Sequence, residues 1–274
     1  MPERVTGSAL IEIAERHLDA APRFSADAVD AGAFTLFVSR TAWSYYARPS
    51  LGSGRPITGA DLAILAATCA ERGVGLDIEW VRETRPELEL LAREYGLLVQ
   101  ARALLAAAPA RIHAVAAEGV TIRIAGHDDP GLPSARAVAE VSFGFGGTAA
   151  GTAGVAERDE VGASLAPELI AHLRRRAELG LNVTALAETQ LEGVVATGSY
   201  QPIETTAEVV SVATLPCARR RGIAAALTAA LARDALGRGV ETLLLSATDD
   251  DVARLYERLG FRRIGVAFEA HAAT

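Results

Sequence analysis

The chain has 274 residues, half of them apolar and 22% charged, a globular composition long enough for two modest domains that each bury a core. A net charge of -7 argues against a general nucleic-acid binder, whose affinity rests on clustered Lys and Arg neutralising phosphates, so any anion site must be local. The two cysteines, Cys69 and Cys217, are far apart and lack metal-ligand spacing; no disulfide framework and no metal are expected, and a cytoplasmic location is.

In chain order, Glu3, Arg4, Glu12, Glu15 and Arg16 are spaced among Ala, Leu and Ile as in an amphipathic helix, without the apolar core of a signal peptide. Strand-like residues 45–48 lead into Pro49, and Arg72, Gly73 and Val74 precede the apolar run 76–81. The Ala-rich run 103–110 is broken by Pro109 and falls well short of the roughly 20 apolar residues of a membrane span, so no membrane partner is expected. Residues 106–118 read as a linker between a first domain, 1–115, and a second, 116–274. In the second, 120–124 alternates as a strand, and 167–179 is a helix with Pro167 at its start and basic residues late in it. Three strand-like runs follow, 183–187, 194–200 and 208–214. After Pro216 a helix is predicted from Gly222 to Leu236, stopped by Gly237 as a left-handed cap. The apolar run 243–245 suits a buried parallel strand, and 249–259 a short helix ended by Gly260. Grouped strands followed by alternating strand and helix indicate an α/β (α+β) fold, a mixed twisted sheet flanked by helices.

The first half repeats this order more faintly. Pro49 stands 24 positions before Gly73 and Pro216 stands 23 before Gly239, while Gly73 to Gly96 is 23 positions against 21 from Gly239 to Gly260. The closing segments, LAREYGL from Leu91 and LYERLGF from Leu255, also correspond. The spacing predicts a duplicated fold.

The segment that carries chemistry is Arg219-Arg220-Arg221-Gly222-Ile223-Ala224, between the strand 208–214 and an Ala/Leu-rich helix. At a helix start several backbone N–H groups are unpaired and the dipole end is positive, so a phosphate finds donors already aimed at it. Gly222 lets the backbone approach a ligand, the small Ala224 keeps the first turn uncrowded, and the arginines supply charge-assisted contacts. An isolated basic loop would merely face water; the flanking strand and helix are what make this one informative.

On this loop, on VVSVATLP from Val209 and on LYERLGF from Leu255, the sequence resembles the GNAT N-acetyltransferase superfamily, whose acetyl-CoA signature is Gln/Arg-x-x-Gly-x-Gly/Ala between a strand and a helix. The resemblance covers about residues 118–270. It implies that Val212, Ala213 and Thr214 splay from a parallel neighbour and pair with the pantetheine arm of acetyl-CoA. It also implies that the backbone N–H groups of Arg220, Arg221, Gly222, Ile223, Ala224 and Ala225 take the pyrophosphate, with Arg219 in the same CoA-binding loop. Tyr256 matches the family's tyrosine, which protonates the departing thiolate; core packing is its other reading. Asp249 stands where the family often has Asn, and it reads as an N-cap or a CoA contact. Glu208 is the candidate general base by this resemblance, against a plain strand-end charge, with Glu204 and Glu192 as weaker alternatives. Cys217 could be imagined as an acyl-accepting nucleophile, but no His or acid neighbours it in sequence.

The corresponding loop of the first half, 50–56, has no Arg-x-x-Gly-x-Ala, its Pro56 would remove an N–H from a helix-start cradle, and Ala92 stands at the tyrosine position. The first half therefore reads as a degenerate GNAT-like domain with a structural role, pairing its sheet with the active half or shaping the acceptor pocket. Trp43, Tyr45, Tyr46 and Trp80 concentrate there; aromatics on strands are expected to be core. Residues 142–154, rich in Gly, read as a flexible acceptor-side loop. The expected activity is transfer of the acetyl group of acetyl-CoA to the amine of a small molecule, by a monomer or homodimer. Another acyl-CoA or an aminoacyl-tRNA as donor, with Arg174-Arg175-Arg176 as a local basic patch, is the second reading. A non-catalytic CoA sensor or interaction module is the third.

Overall fold

The computed structural model describes residues 7–41 and 43–272. Its elements are, in order, α1 (Gly7–Arg23), β1 (Ala26–Ala31), β2 (Phe34–Ser39), β3 (Ala47–Pro49), α2 (Gly59–Arg72), β4 (Asp77–Val81), α3 (Leu88–Glu94) and β5 (Leu97–Ala107). There follow β6 (Thr121–Ile124), α4 (Leu132–Gly144), α5 (Val155–Ser164), α6 (Pro167–Glu178), β7 (Val183–Thr189), β8 (Gly193–Ile203) and β9 (Thr206–Thr214). The chain ends with α7 (Ile223–Gly237), β10 (Thr242–Ala247), α8 (Asp250–Leu259) and β11 (Arg262–Ala272). Short 3₁₀ turns lie at Pro109–Arg111 and Pro216–Ala218. The expected N-terminal helix is α1, with Glu12, Glu15 and Arg16 on it; Glu3 and Arg4 lie outside the described residues.

Contacts divide the chain into two units, each assembled from segments distant in sequence. The first unit joins the chain up to Leu105 with Ser246–Thr248 and the segment from Arg263 onward. Its strands run in the order β1-β2-β3-β4-β11-β5. The C-terminal strand is drawn in by its own alternation. Phe268 and Ala270 are buried, the first stacked on Trp80 with centroids 5.0 Å apart, while Glu269 and His271 take the other face opposite Glu79 and Asp77. Sequence reading ended the pattern at Phe261 and missed this strand, as it missed the β1–β2 hairpin.

Two expectations about this unit are corrected. Of Trp43, Tyr45, Tyr46 and Trp80 only Trp80 is core; Trp43 is exposed, and Tyr45 and Tyr46 line an open pocket with Asp77, Glu79 and His271. Pro56 is not at a helix start, because α2 begins at Gly59 behind the N-cap Thr58. What closes that helix start is Asp61. Its carboxylate accepts the Thr58 N–H at 2.9 Å and the Thr58 hydroxyl at 2.7 Å, and it binds the guanidinium of Arg55 at 2.5 and 2.9 Å.

The second unit holds Ala106–Leu245 and Asp249–Arg262, with strand order β10-β9-β8-β7-β6. β6, β7, β8 and β9 pair antiparallel in sequence, and β10 pairs parallel to β9. Helix α7 lies on β8 through Leu227, Leu231 and Asp234, one face at i, i+4, i+7 spacing. Each buried leucine contributes about 2 kcal/mol. Asp234 accepts the Tyr200 hydroxyl at 2.5 Å and Arg238 Nε at 2.8 Å, which fixes the helix along the strand. The left-handed residue after α7 is Gly239, φ 85°, rather than Gly237, which is the last helical residue; Val240 N–H then returns to the Ala235 carbonyl. Helices α4 and α5 were not expected. Their Gly, Ser and Pro content hid the helical period.

Candidate active site

β9 loses its parallel partner over the second half of its length. Its parallel pairing with β10 covers only Thr242↔Thr206, Leu243↔Ala207 and Leu244↔Glu208. Val209 to Thr214 continue with β8 alone as their partner in this unit, down to Ala196↔Thr214. Within that stretch Thr197 faces Ala213 and Ser199 faces Val210, so two residues, Ser211 and Val212, oppose the single Gly198. Such a two-against-one bulge bends the strand and sharpens its twist. Ser211 accordingly adopts φ 55°, a conformation that costs an L-residue about 1 kcal/mol and that clusters at working sites. The parallel pairing with β10 does not reach Val212, Ala213 and Thr214.

The chain leaves β9 through the turn Pro216–Ala218 and reverses at Arg220, φ 66°, and Gly222, φ 76°, before α7. Gly222 is the N-cap and offers no side chain, so the first-turn N–H groups of α7 have no side-chain cap. Arg220 and Arg221 are exposed, and neither forms an ion pair among the described residues. An unpaired strand edge, an uncapped helix start and two free cations are what a pantetheine arm ending in a pyrophosphate requires. The residues present therefore fit CoA.

Arg219 departs from the expected role. Its guanidinium turns away from the loop and is spent on main-chain carbonyls of Ser142, Phe145, Gly146, Ala149 and Thr214, so the expectation of charge-assisted phosphate contacts is left to Arg220 and Arg221.

Helix α8 packs beside α7 and carries the other expected residues. Asp249 is its N-cap: Oδ1 accepts the Val252 N–H at 2.8 Å. Gly260, φ 116°, ends the helix with its Cα against the Arg111 carbonyl, leaving no room for a Cβ. Tyr256 is buried, edge-on to Phe261 at 5.8 Å, and its hydroxyl has no hydrogen-bond partner among the described residues. Burial pushes the phenol well above its ordinary value of 10, so it carries its proton at neutral pH.

Glu208 is half-buried at the last rung before β9 and β10 part, across from Gln201. Glu204, φ 52°, is on the two-residue β8–β9 turn, at the far end of the strand from Thr214. Glu192 caps the β7–β8 turn, its N–H held by Thr189 Oγ1 at 3.0 Å. Cys217 is exposed, and burial of its sulfur together with the nearby Glu192 and Glu157 carboxylates pushes the thiol up, the wrong direction for a nucleophile. Among the described residues no group of three or more His, Cys, Asp or Glu could hold a metal ion, and no helix is long and apolar enough to cross a membrane.

A parallel strand pair that parts after Glu208, beside an uncapped helix start, sits on the mixed sheet of an α/β protein. Residues 155–261 match the model of the acetyltransferase (GNAT) family. Among solved structures the fold is similar to a GCN5-related N-acetyltransferase from Kribbella flavida, at 24% identity and a TM-score of 0.70, with 96% of this chain and 95% of that one covered. It is also similar to a tandem GNAT protein from the clavulanic acid biosynthesis pathway, at 14% identity and a TM-score of 0.56 over 88% and 79% of the two chains. A GCN5-related N-acetyltransferase from Sphaerobacter thermophilus aligns at 18% identity and a TM-score of 0.56, over 94% and 84%. A search of curated proteins found no match.

Proposed function

We propose that the second unit transfers the acetyl group of acetyl-CoA to the amine of a small molecule, in the cytoplasm. The observation that supports this reading is the end of the parallel ladder: β9 loses its parallel partner after Glu208, and the same strand feeds the uncapped start of α7. The edge of Val212, Ala213 and Thr214 would hold the pantetheine amides, and the N–H groups at Gly222, Ile223, Ala224 and Ala225, with Arg220 and Arg221, the pyrophosphate. Acetyl-CoA supplies the activated thioester. Rate would come largely from holding thioester and amine together. Tyr256, kept protonated by burial, would donate to the leaving sulfur, and Glu208, at the point where the strands part, would accept the ammonium proton, directly or through water.

The first unit we read as a degenerate GNAT-like domain that binds no CoA. In support, the start of α2 is occupied by the Asp61 carboxylate, and Ala92 is buried in α3 where Tyr256 stands in α8.

Release of thiol from acetyl-CoA in the presence of a panel of small amines tests the reading. Tyr256→Phe should lower kcat about 100-fold or more while leaving CoA affinity within a few fold. Equal turnover in both proteins would remove Tyr256 from the chemistry. CoA binding without thiol release for any amine would favour a sensor, and release only with longer acyl-CoA donors would change the donor.

A further inference from the structure

The side chain of Arg219 makes no ion pair among the described residues, and burial, with no carboxylate to offset it, lowers its pKa. Instead its three nitrogens contact five carbonyl oxygens, with the two Nη1 hydrogens shared among three of them. Nη2 donates to Ser142 O at 2.8 Å; Nη1 to Ala149 O at 3.1 Å, Gly146 O at 3.2 Å and Phe145 O at 3.5 Å; Nε to Thr214 O at 3.2 Å. Ser142 lies in the last turn of α4 and Phe145, Gly146 and Ala149 in the loop after it, at the negative end of the helix dipole, so a cation there is favourable. The fifth closes the grip onto the end of β9.

The same segment is held to the donor loop at a second place. Gly151 N–H donates to Pro216 O at 3.1 Å and Cys217 N–H to Ala153 O at 3.0 Å. The approach is close enough to require glycine: a Cβ at Gly151 would stand 3.1 Å from Pro216 Cβ, and one at Gly154 2.9 Å from Cys217 Sγ. The glycines of 142–154, which read as flexible in sequence, thus serve in part to dock this segment against the turn before the phosphate loop. Residues 151–154 are tied by main-chain bonds, and 145–149 by Arg219.

We infer that Arg219 is a positioning residue that couples the donor loop to the segment 142–149, so that a pyrophosphate on the backbone of Arg220 to Ala225 also tightens that segment. This rests on the CoA reading above. An anion that fixes Arg220 and Gly222 fixes the Arg219 backbone between them and β9, and with it the guanidinium that holds four carbonyls. By linkage, order in 142–149 must raise donor affinity by the same factor.

Hydrogen exchange of the full chain, with CoA itself as the probe, tests this. The readouts are the amides of Phe145 and Gly146, which donate to Ser142 O and Phe143 O at the end of α4, with Gly151 as internal control. Without ligand, Arg219→Lys, which keeps the charge and loses the fork, should speed exchange over 143–149 about tenfold or more, the effect of losing one charge-assisted hydrogen bond, with Gly151 unchanged. With CoA, the wild-type segment should gain further protection, and Arg219→Lys should bind CoA by calorimetry without that gain. Unchanged exchange in ligand-free Arg219→Lys, or CoA binding to the wild type with no change over 143–149, overturns the coupling. If the wild type binds no CoA, the CoA reading and the coupling to it fall together, while the ligand-free comparison still shows whether Arg219 holds the loop. Arg219→Ala with an unchanged melting temperature guards against an effect of global unfolding.

Discussion

A Cβ at Gly198 would stand 2.5 Å from Cδ2 of Leu227, with Val212 Cγ2 at 3.2 Å and Leu231 Cδ1 at 3.3 Å. Gly198 is the single residue opposite the bulge of β9, so α7 lies close against the sheet where β9 bends. A methyl group there must push α7 outward or force its leucines off-rotamer. Gly198→Ala should cost about 1–3 kcal/mol in urea unfolding. Leu227→Ala in the same chain should recover part of it, because the two changes share one space. Strict additivity of the two penalties would mean that the helix is not held at this point.

Tyr200 bears on the same helix. Its phenol is pushed well above its ordinary value of 10, by burial first and then by its bond to Asp234, and burial does the same to Tyr256. For both groups the folded pKa lies above the unfolded one, so the native state retains protons that the unfolded chain releases. The stability they contribute is complete below pH 10 and is lost as pH rises beyond it. Near-ultraviolet titration should show these phenols ionising only together with unfolding, above the pH at which an unperturbed phenol titrates. Tyr200→Phe should cost about 1–3 kcal/mol at neutral pH, because Asp234 keeps only Arg238, and should flatten the alkaline fall. Phenol ionisation near pH 10 in a still-folded chain would contradict the burial of both groups.

What the sequence disclosed about this site follows from locality. The loop from Arg219 to Ala224, the strand before it and the cap at Asp249 are decided within a few residues of chain, by glycine conformation, helix-end donors and side-chain capping, and they were readable. The bulge was not, because it depends on how β9 registers against β8, and Ser211 looks like any strand residue. The partners of Arg219 lie 70–77 positions away in sequence, so a basic triplet gave no hint which arginine faces a ligand and which is spent on carbonyls. Similarly, β11 carries a plain alternating pattern, yet its partner β4 lies in the first half of the chain, and only pairing reveals that it completes that unit. Pro56 reads in sequence as part of a helix start, but α2 begins only at Gly59. The charge that matters there, Asp61, is a common helix residue whose role depends on the turn before it.

His17 supplies a test on the acid side. It is buried on α1, and burial lowers its pKa from 6.5 to about 4. Between those values the unfolded chain binds a proton that the native chain excludes, so stability is full above pH 6.5 and falls as pH drops toward 4. The loss attributable to this one group approaches about 3 kcal/mol at its limit. Comparing urea midpoints at pH 7 and pH 5, the drop should shrink in His17→Leu. An equal drop in both proteins would assign the acid sensitivity to carboxylates instead.

The two helix starts that follow the duplicated prolines differ in charge, and this fixes how many donors one chain should hold. In α7 the start is uncapped, with Gly222 left-handed and two free arginines before it. In α2 the Asp61 carboxylate already accepts the Thr58 N–H and hydroxyl, and Arg55 holds it well below the usual carboxylate range, so it stays charged. A pyrophosphate brought there would meet an anion in place of free donors. Calorimetry should therefore give about one CoA per chain. Gly222→Asp should abolish binding, because aspartate tolerates the left-handed backbone but places a negative charge and a competing acceptor at the helix start. Asp61→Asn should restore no second site, since the amide oxygen still accepts from Thr58. A stoichiometry of two, or half the sites surviving in Gly222→Asp, would show that the first unit binds donor as well.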